Sequence, residues 1–204
     1  SGVTQCKSCD VEGDLLSMGK SESGVHIYDL SSDPGSPTLR GLANTPGWVL
    51  DIESSSDYLY IADGSMVGIG DGSFCTVDLS TAPLYAIVDT FVSEGGNCFE
   101  GCFAGGGFYV LADGVNGMKI FSLADPAHPE MIDSYTDFSS NVNNVEYHDG
   151  IIYAGTNGTL YMLSSDLIST SDVMPPDLTV IEPRDGSYSA CLNQRIAFEI
   201  TDES

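Results

Sequence analysis

Asp63, Asp71 and Asp113 each precede a glycine in loop-forming sequence, as Ala62-Asp63-Gly64, Gly70-Asp71-Gly72 and Ala112-Asp113-Gly114. Carboxylates on Gly-rich loops can gather oxygen ligands around a hard cation, so calcium is the cofactor these residues suggest. The stretch DGSMVGIGDGS, residues 63–73, brackets flexible glycines with two of the three acids and is the best local cluster. It lacks the Asp-x-Asp-x-Asp-Gly spacing and terminal Glu of an EF-hand. Asp-Gly is also the dipeptide preferred in type I′ hairpins, so the same residues read equally as plain turns.

The second set is the cysteines, Cys6, Cys9, Cys75, Cys98, Cys102 and Cys191. Their even number in a chain read as secreted suggests disulfides, with fifteen possible pairings. Cys98 and Cys102 lie four apart in a predicted strand, about 13 Å if extended, against a limit of ~7 Å between bridged Cα atoms. They pair only if Gly101 permits a bulge. Cys6, Cys9, Cys98 and Cys102 could alternatively make a tetrahedral thiolate site for zinc or iron–sulfur chemistry, a reading placed below structural disulfides.

Trp48, the only tryptophan, follows Thr45-Pro46-Gly47 and could stack on a sugar or protein partner. Packing between structural units is the competing explanation. Asn157-Gly158-Thr159 is a glycosylation sequon, and Asn-Gly is again hairpin chemistry. His26, His128 and His148 are scattered, with no two close in sequence. The chain shows neither a Gly-x-Ser-x-Gly elbow nor a phosphate loop, and Gly105-Gly106-Gly107 reads as a tight turn. No catalytic residue is nominated.

These residues need a scaffold, and the scaffold repeats. FYVLADGVNGMKIFSLADPAHPEMIDSY (108–135) reads as two apolar strands about an Ala-Asp-Gly turn, a Pro-punctuated connector and a further strand. The pattern recurs in YLYIADG…FCTVDLSTAPLYAIVDTF, in VHIYDLSSDPGSPTLRGLA and in IIYAGTNGTLYMLSSD. Anchors at Val25, Cys75, Met118 and Leu160 are 50, 43 and 42 residues apart. Four short strands at that period define propeller blades, because one blade cannot bury both faces without neighbours. The expected fold is therefore all-β, a β-propeller with blades at 38–79, 84–123 and 130–164. Residues 14–30 supply two strands of an earlier blade, giving three and a half in all.

The motifs Asp29-Leu30-Ser31, Asp78-Leu79-Ser80, Ala62-Asp63-Gly64 and Ala112-Asp113-Gly114 resemble the LVIVD repeat of bacterial and archaeal surface proteins. The resemblance covers roughly residues 14–166 and implies a β-propeller acting as a surface, adhesion or binding scaffold. The sequence departs from it at the long hairpin SMVGIGDGS and at Thr156-Asn157-Gly158.

Thirty acidic residues stand against six basic ones, for a formal charge of −24. Such a surface argues against nucleic-acid partners and anionic membranes, since it cannot neutralise phosphates. No apolar run approaches the ~20 residues of a spanning helix, and no signal-peptide pattern opens the chain. An extracellular or cell-surface location is expected.

The organisation read from sequence is a Cys-x-x-Cys segment at 1–13, blades at 14–166, a linker at 167–176 and a β segment at 177–204. This last segment resembles the first strands of a bacterial immunoglobulin-like domain, or donates strands elsewhere. One destination is the unfinished N-terminal blade, which the tail would clasp; the other, which the immunoglobulin-like look of the tail favours, is the exposed sheet edge of a neighbouring chain, joined by β-augmentation. The expected role is a non-enzymatic adhesion or binding scaffold whose partners are other copies, surface proteins or glycans. The alternative is a structural subunit of an extracellular filament or layer, and a propeller hydrolase is a remote third.

Overall fold

The computed structural model describes residues 6–21, 23–65, 71–165 and 167–168. They lie in a unit spanning residues 1–170, and the second unit, 171–204, contains no described residue. Expectations about Cys191 and the C-terminal β segment therefore fall outside the described residues.

Among the described residues, fifteen strands form four antiparallel sheets. Sheet A contains β1 (Ser8–Glu12), β2 (Leu15–Gly19), β3 (Val25–Asp29) and β4 (Thr38–Ala43). Sheet B contains β5 (Trp48–Ser55), β6 (Tyr58–Gly64), β7 (Gly72–Asp78) and β8 (Ala86–Ser93). Sheet C contains β9 (Glu100–Ala104), β10 (Phe108–Ala112), β11 (Met118–Ser122) and β12 (Glu130–Tyr135). Sheet D contains β13 (Val142–His148), β14 (Ile151–Thr156) and β15 (Leu160–Ser164). Each sheet is a meander in which sequential strands pair. The fold is an all-β propeller.

The sheet frame corrects the blade boundaries by one strand. TLRGLA opens no blade; it pairs with β3 as the last strand of sheet A. The same holds for β8 on β7 and β12 on β11. A Pro-containing connector carries the chain from third to fourth strand, and the next sheet begins after a short link. The N-terminal sheet is also whole. Ser8–Glu12 pairs with Leu15–Gly19, so the Cys-x-x-Cys segment contributes a strand and leaves no gap for the tail to clasp.

The core lies between consecutive sheets. Val25, Ile27, Ile52, Leu59, Ile61, Cys75 and Val77 fill the A–B interface. Tyr60, Phe74, Tyr109, Leu111 and Phe121 fill B–C, with Phe74 stacked on Tyr109 at 4.9 Å between ring centroids. Val110, Ile120, Val142, Val145 and Ile152 fill C–D. Both faces of sheets B and C are consumed in this way, so β6 and β10 read as nearly continuous apolar runs.

Turns follow their chemistry. Asp149 (φ 46°) and Gly150 (φ 86°) are both left-handed in the two-residue hairpin between β13 and β14, as a type I′ turn demands. Gly105–Gly107 makes the expected tight turn between β9 and β10.

Candidate functional site

Asp63 and Asp113 occupy matching places in two sheets, and neither is a surface turn residue. Asp63 ends β6 with 1% exposure; Asp113 follows β10 with 0%. The Asp63 Oδ2 accepts the Gly47 N–H at 2.6 Å and the Ser73 hydroxyl at 3.2 Å. The Asp113 Oδ2 accepts the Ser93 hydroxyl at 2.6 Å and lies 3.7 Å from Lys119 Nζ, while its Oδ1 accepts the Cys98 thiol at 3.6 Å. Burial raises both carboxyls above the ordinary range, and these donors pull the other way.

Both side chains thus latch a neighbouring segment to the strand end. Asp71 is exposed and accepts the Gly95 N–H at 2.8 Å. Among the described residues no group of three or more His, Cys, Asp or Glu is placed to hold a metal ion.

The cysteines are separated by the sheets. Cys6, Cys9, Cys75, Cys98 and Cys102 are free thiols, the first two exposed and the others buried. Cys98 packs in the B–C core and Cys102 in the C–D core, on opposite sides of sheet C. Cys98 lies in the link ahead of β9 (Glu100–Ala104) and so escapes the strand's alternation, which would have put it on the same face as Cys102; in separate cores the two form neither a disulfide with each other nor one thiolate site with Cys6 and Cys9. Burial pushes the Cys75 thiol up to about 11 and the Cys102 thiol up to about 12, the opposite of a reactive cysteine.

Trp48 opens β5 half-buried, opposite Gly64, with its indole N–H buried away from any partner. Packing claims most of this residue. Asn157 is exposed in the β14–β15 turn, where its Oδ1 accepts the Asn143 side-chain amide at 2.7 Å. His128 and His148 are exposed beside Asp125 and Asp149. His26 lies on β3 next to Lys20, 3.2 Å away; burial and that ammonium hold its pKa below the ordinary value.

The most concentrated electrostatic feature was not nominated by sequence. The leading strands of the four sheets pack in series, β1 on β5, β5 on β9 and β9 on β13, and so form the inner lining of the propeller. Each brings an acid: Asp10, then Asp51 and Glu53, then Glu100, then Glu146. Three of them stitch strands together. The Asp51 Oδ1 accepts the Ser8 hydroxyl at 2.9 Å and its Oδ2 the Gly101 N–H at 3.1 Å, joining β1, β5 and β9. Asp10 accepts the Ser54 N–H at 2.8 Å, and Glu100 accepts the Asn144 amide.

Glu53 sits amid these groups. Desolvation, then the charges of Asp51, Asp10, Glu146 and Glu100, push its pKa up to about 7. The sequence signal was at least one acid on every leading strand, visible only once strands are aligned by blade. Counting carboxylates in so acidic a chain could not isolate it.

This geometry defines a class: a β-propeller with an acidic inner lining. The LVIVD repeat matches residues 46–81 and 104–137, covering β5 to the start of the B connector and then β10 to β12. No curated protein matches the chain. Among solved structures, the computationally designed Ika4 protein is similar with a TM-score of 0.62 at 10% identity, over 80% of this chain and 93% of that one. The designed Ika8 protein gives 0.60 at 10% identity, over 82% of this chain and 47% of its own. A chain of the Mitotic Checkpoint Complex gives 0.61 at 14% identity, over 79% and 51%. This chain therefore spans about half the length of the latter two. At such identities the likeness concerns fold alone.

Proposed function

We propose that this protein is a non-catalytic binding scaffold, secreted or at a cell surface, which engages cationic groups of a protein partner through the acidic lining of its propeller. The observation that carries the reading is the convergence of Asp10, Asp51, Glu53, Glu100 and Glu146 from all four sheets, close enough for their charges to raise Glu53 together. Lysine and arginine side chains, including those of neighbouring surface proteins, relieve that repulsion on binding. A strongly acidic chain steers such partners from a distance.

The test is binding of a lysine-rich peptide followed by calorimetry at ~0.15 M salt. Replacing Glu53 and Glu146 together by Gln is expected to weaken binding about tenfold. A control replacing the exposed Asp33 by Asn and Glu130 by Gln changes the charge equally but is remote from the lining, and is expected to leave affinity nearly unchanged. Equal losses in the two variants overturn the reading in favour of undirected attraction to an acidic surface.

A further inference from the structure

The inner sheets B and C are buried on both faces, whereas the outer sheets A and D are buried on one. In sheet A, alternation sends Val25 and Ile27 into the A–B core and leaves Leu16, Met18, His26 and Tyr28 half-buried on the opposite face. In sheet D, Val145, Ile152 and Ala154 enter the C–D core. Glu146, Tyr153 and Met162 stand opposite one another in the register and occupy the other face. Among the described residues the three core clusters join A to B, B to C and C to D, and none joins D to A.

The leading strands carry stitches that run forward along this series. Asp10 of β1 accepts the Ser54 N–H of β5, Asp51 of β5 accepts the Gly101 N–H of β9, and Glu100 of β9 accepts the Asn144 amide of β13. Each acid binds a group on the sheet that follows its own. Glu146 of β13 is the next acid in the series; it is exposed, and no described residue donates a hydrogen bond to it.

Charge divides the two open faces. Of the described Lys and Arg residues, Lys119 is paired with Asp113, and the others, Lys7, Lys20 and Arg40, all lie on or beside the strands of sheet A. Lys20 stands over the Tyr28 ring on the open face, with its Nζ 3.1 Å from the Tyr28 hydroxyl and 3.2 Å from His26 Nδ1. Asp10 is turned toward sheet B, and Glu12 and Asp14 lie at the other end of the β1–β2 hairpin from Lys20. Sheet D has no Lys or Arg from Val142 to Ser164 and carries Glu146 and Asp149.

We propose that the open face of sheet D in one copy of this chain packs on the open face of sheet A in a second copy. The sheet-on-sheet packing that joins A to B, B to C and C to D then continues from one molecule into the next. Tyr153 and Met162 are covered by the side of sheet A that bears Leu16 and Met18, and burial of this apolar surface drives the contact as it does within the chain. Glu146 reaches forward to a following sheet, as Asp10, Asp51 and Glu100 do, and finds the basic end marked by Lys20. In a chain of formal charge −24, the sheet that gathers the free cations is the one that another copy can approach, and the opposed charges decide which face meets which. The contact joins unlike faces, so it closes as a ring of two chains or propagates as an array, and both forms contain the same interface.

Sedimentation of the full chain at micromolar concentration and ~0.15 M salt tests this. Particles of two or more chains are expected. Lys20→Glu and Glu146→Lys are each expected to weaken association about tenfold, because each sets like charges against one another. An equimolar mixture of the two variants is expected to recover it: the altered A face then meets the altered D face, and the remaining contact is the original one. Unchanged melting temperatures of the separate variants report an intact fold. A full chain that stays monomeric overturns the proposal by itself and assigns the two faces to some other cover. Association that ignores both substitutions also overturns it, as does a mixture that associates no better than either variant alone.

Discussion

Glu53 shows how a residue takes its chemistry from neighbours. A carboxyl raised to about 7 binds its proton in the folded chain at a pH where the unfolded chain has released it. The associated stability is fully present below about 4.5 and is lost as pH rises through 7. Glu100, Asp63 and Asp113 are raised as well and add to the same slope. His26, held neutral, opposes it by favouring the folded state as pH rises. Urea unfolding is therefore expected to show higher stability at pH 5 than at pH 7.5, and Glu53→Gln to flatten that difference. A variant slope equal to that of the parent chain refutes the assignment.

Asp113 gives a second prediction at this scale. Asp113→Ala leaves Lys119, itself 9% exposed, without its buried counter-charge and frees the Ser93 hydroxyl. A loss of about 3 kcal/mol is expected from the shift in denaturation midpoint.

At the scale of elements, close approach between strands decides which glycines are irreplaceable. Gly101 on β9 lies under Tyr109 of β10, and an added Cβ would land on the phenol ring and hydroxyl. Tyr109 is fully buried and wedged in the B–C aromatic cluster, so it has little room to move. Gly101→Ala is expected to cost roughly 1–3 kcal/mol. Gly155 on β14 has ordinary strand geometry, and its nearest prospective contact is Asn144 Cβ at 3.5 Å. Gly155→Ala is expected to be nearly neutral or slightly stabilising by thermal denaturation. Similar losses at both positions would show that packing against Tyr109 is not the cause.

For the whole molecule, a formal charge of −24 concentrates repulsion where the four leading strands converge. Salt screens exposed charges within about 10 Å at 0.1 M, so compaction is favoured as ionic strength rises. The melting temperature is expected to rise by about 2–4 °C between 10 mM and 0.5 M sodium chloride. The Glu53→Gln/Glu146→Gln variant, already relieved in part, is expected to rise less. No salt dependence in either chain would place the lining carboxylates too far apart to matter.

The sequence by itself determined the all-β class, the propeller repeat and its period, because alternation, hairpin dipeptides and Pro connectors are local and recur. It also placed the Asn157-Gly158 turn, whose left-handed glycine (φ 117°) follows from the residues that make it. Only the tertiary structure decided which sheet claims each fourth strand, since TLRGLA reads the same whichever neighbour it bonds. It decided that Asp63 and Asp113 point inward as latches, because Asp-Gly at a strand end and Asp-Gly in a hairpin are identical as text. It parted Cys98 from Cys102 across sheet C, which four residues of spacing could not reveal. Above all it assembled the acidic lining from residues as distant as Asp10 and Glu146, whose shared field exists only when the blades pack around one another.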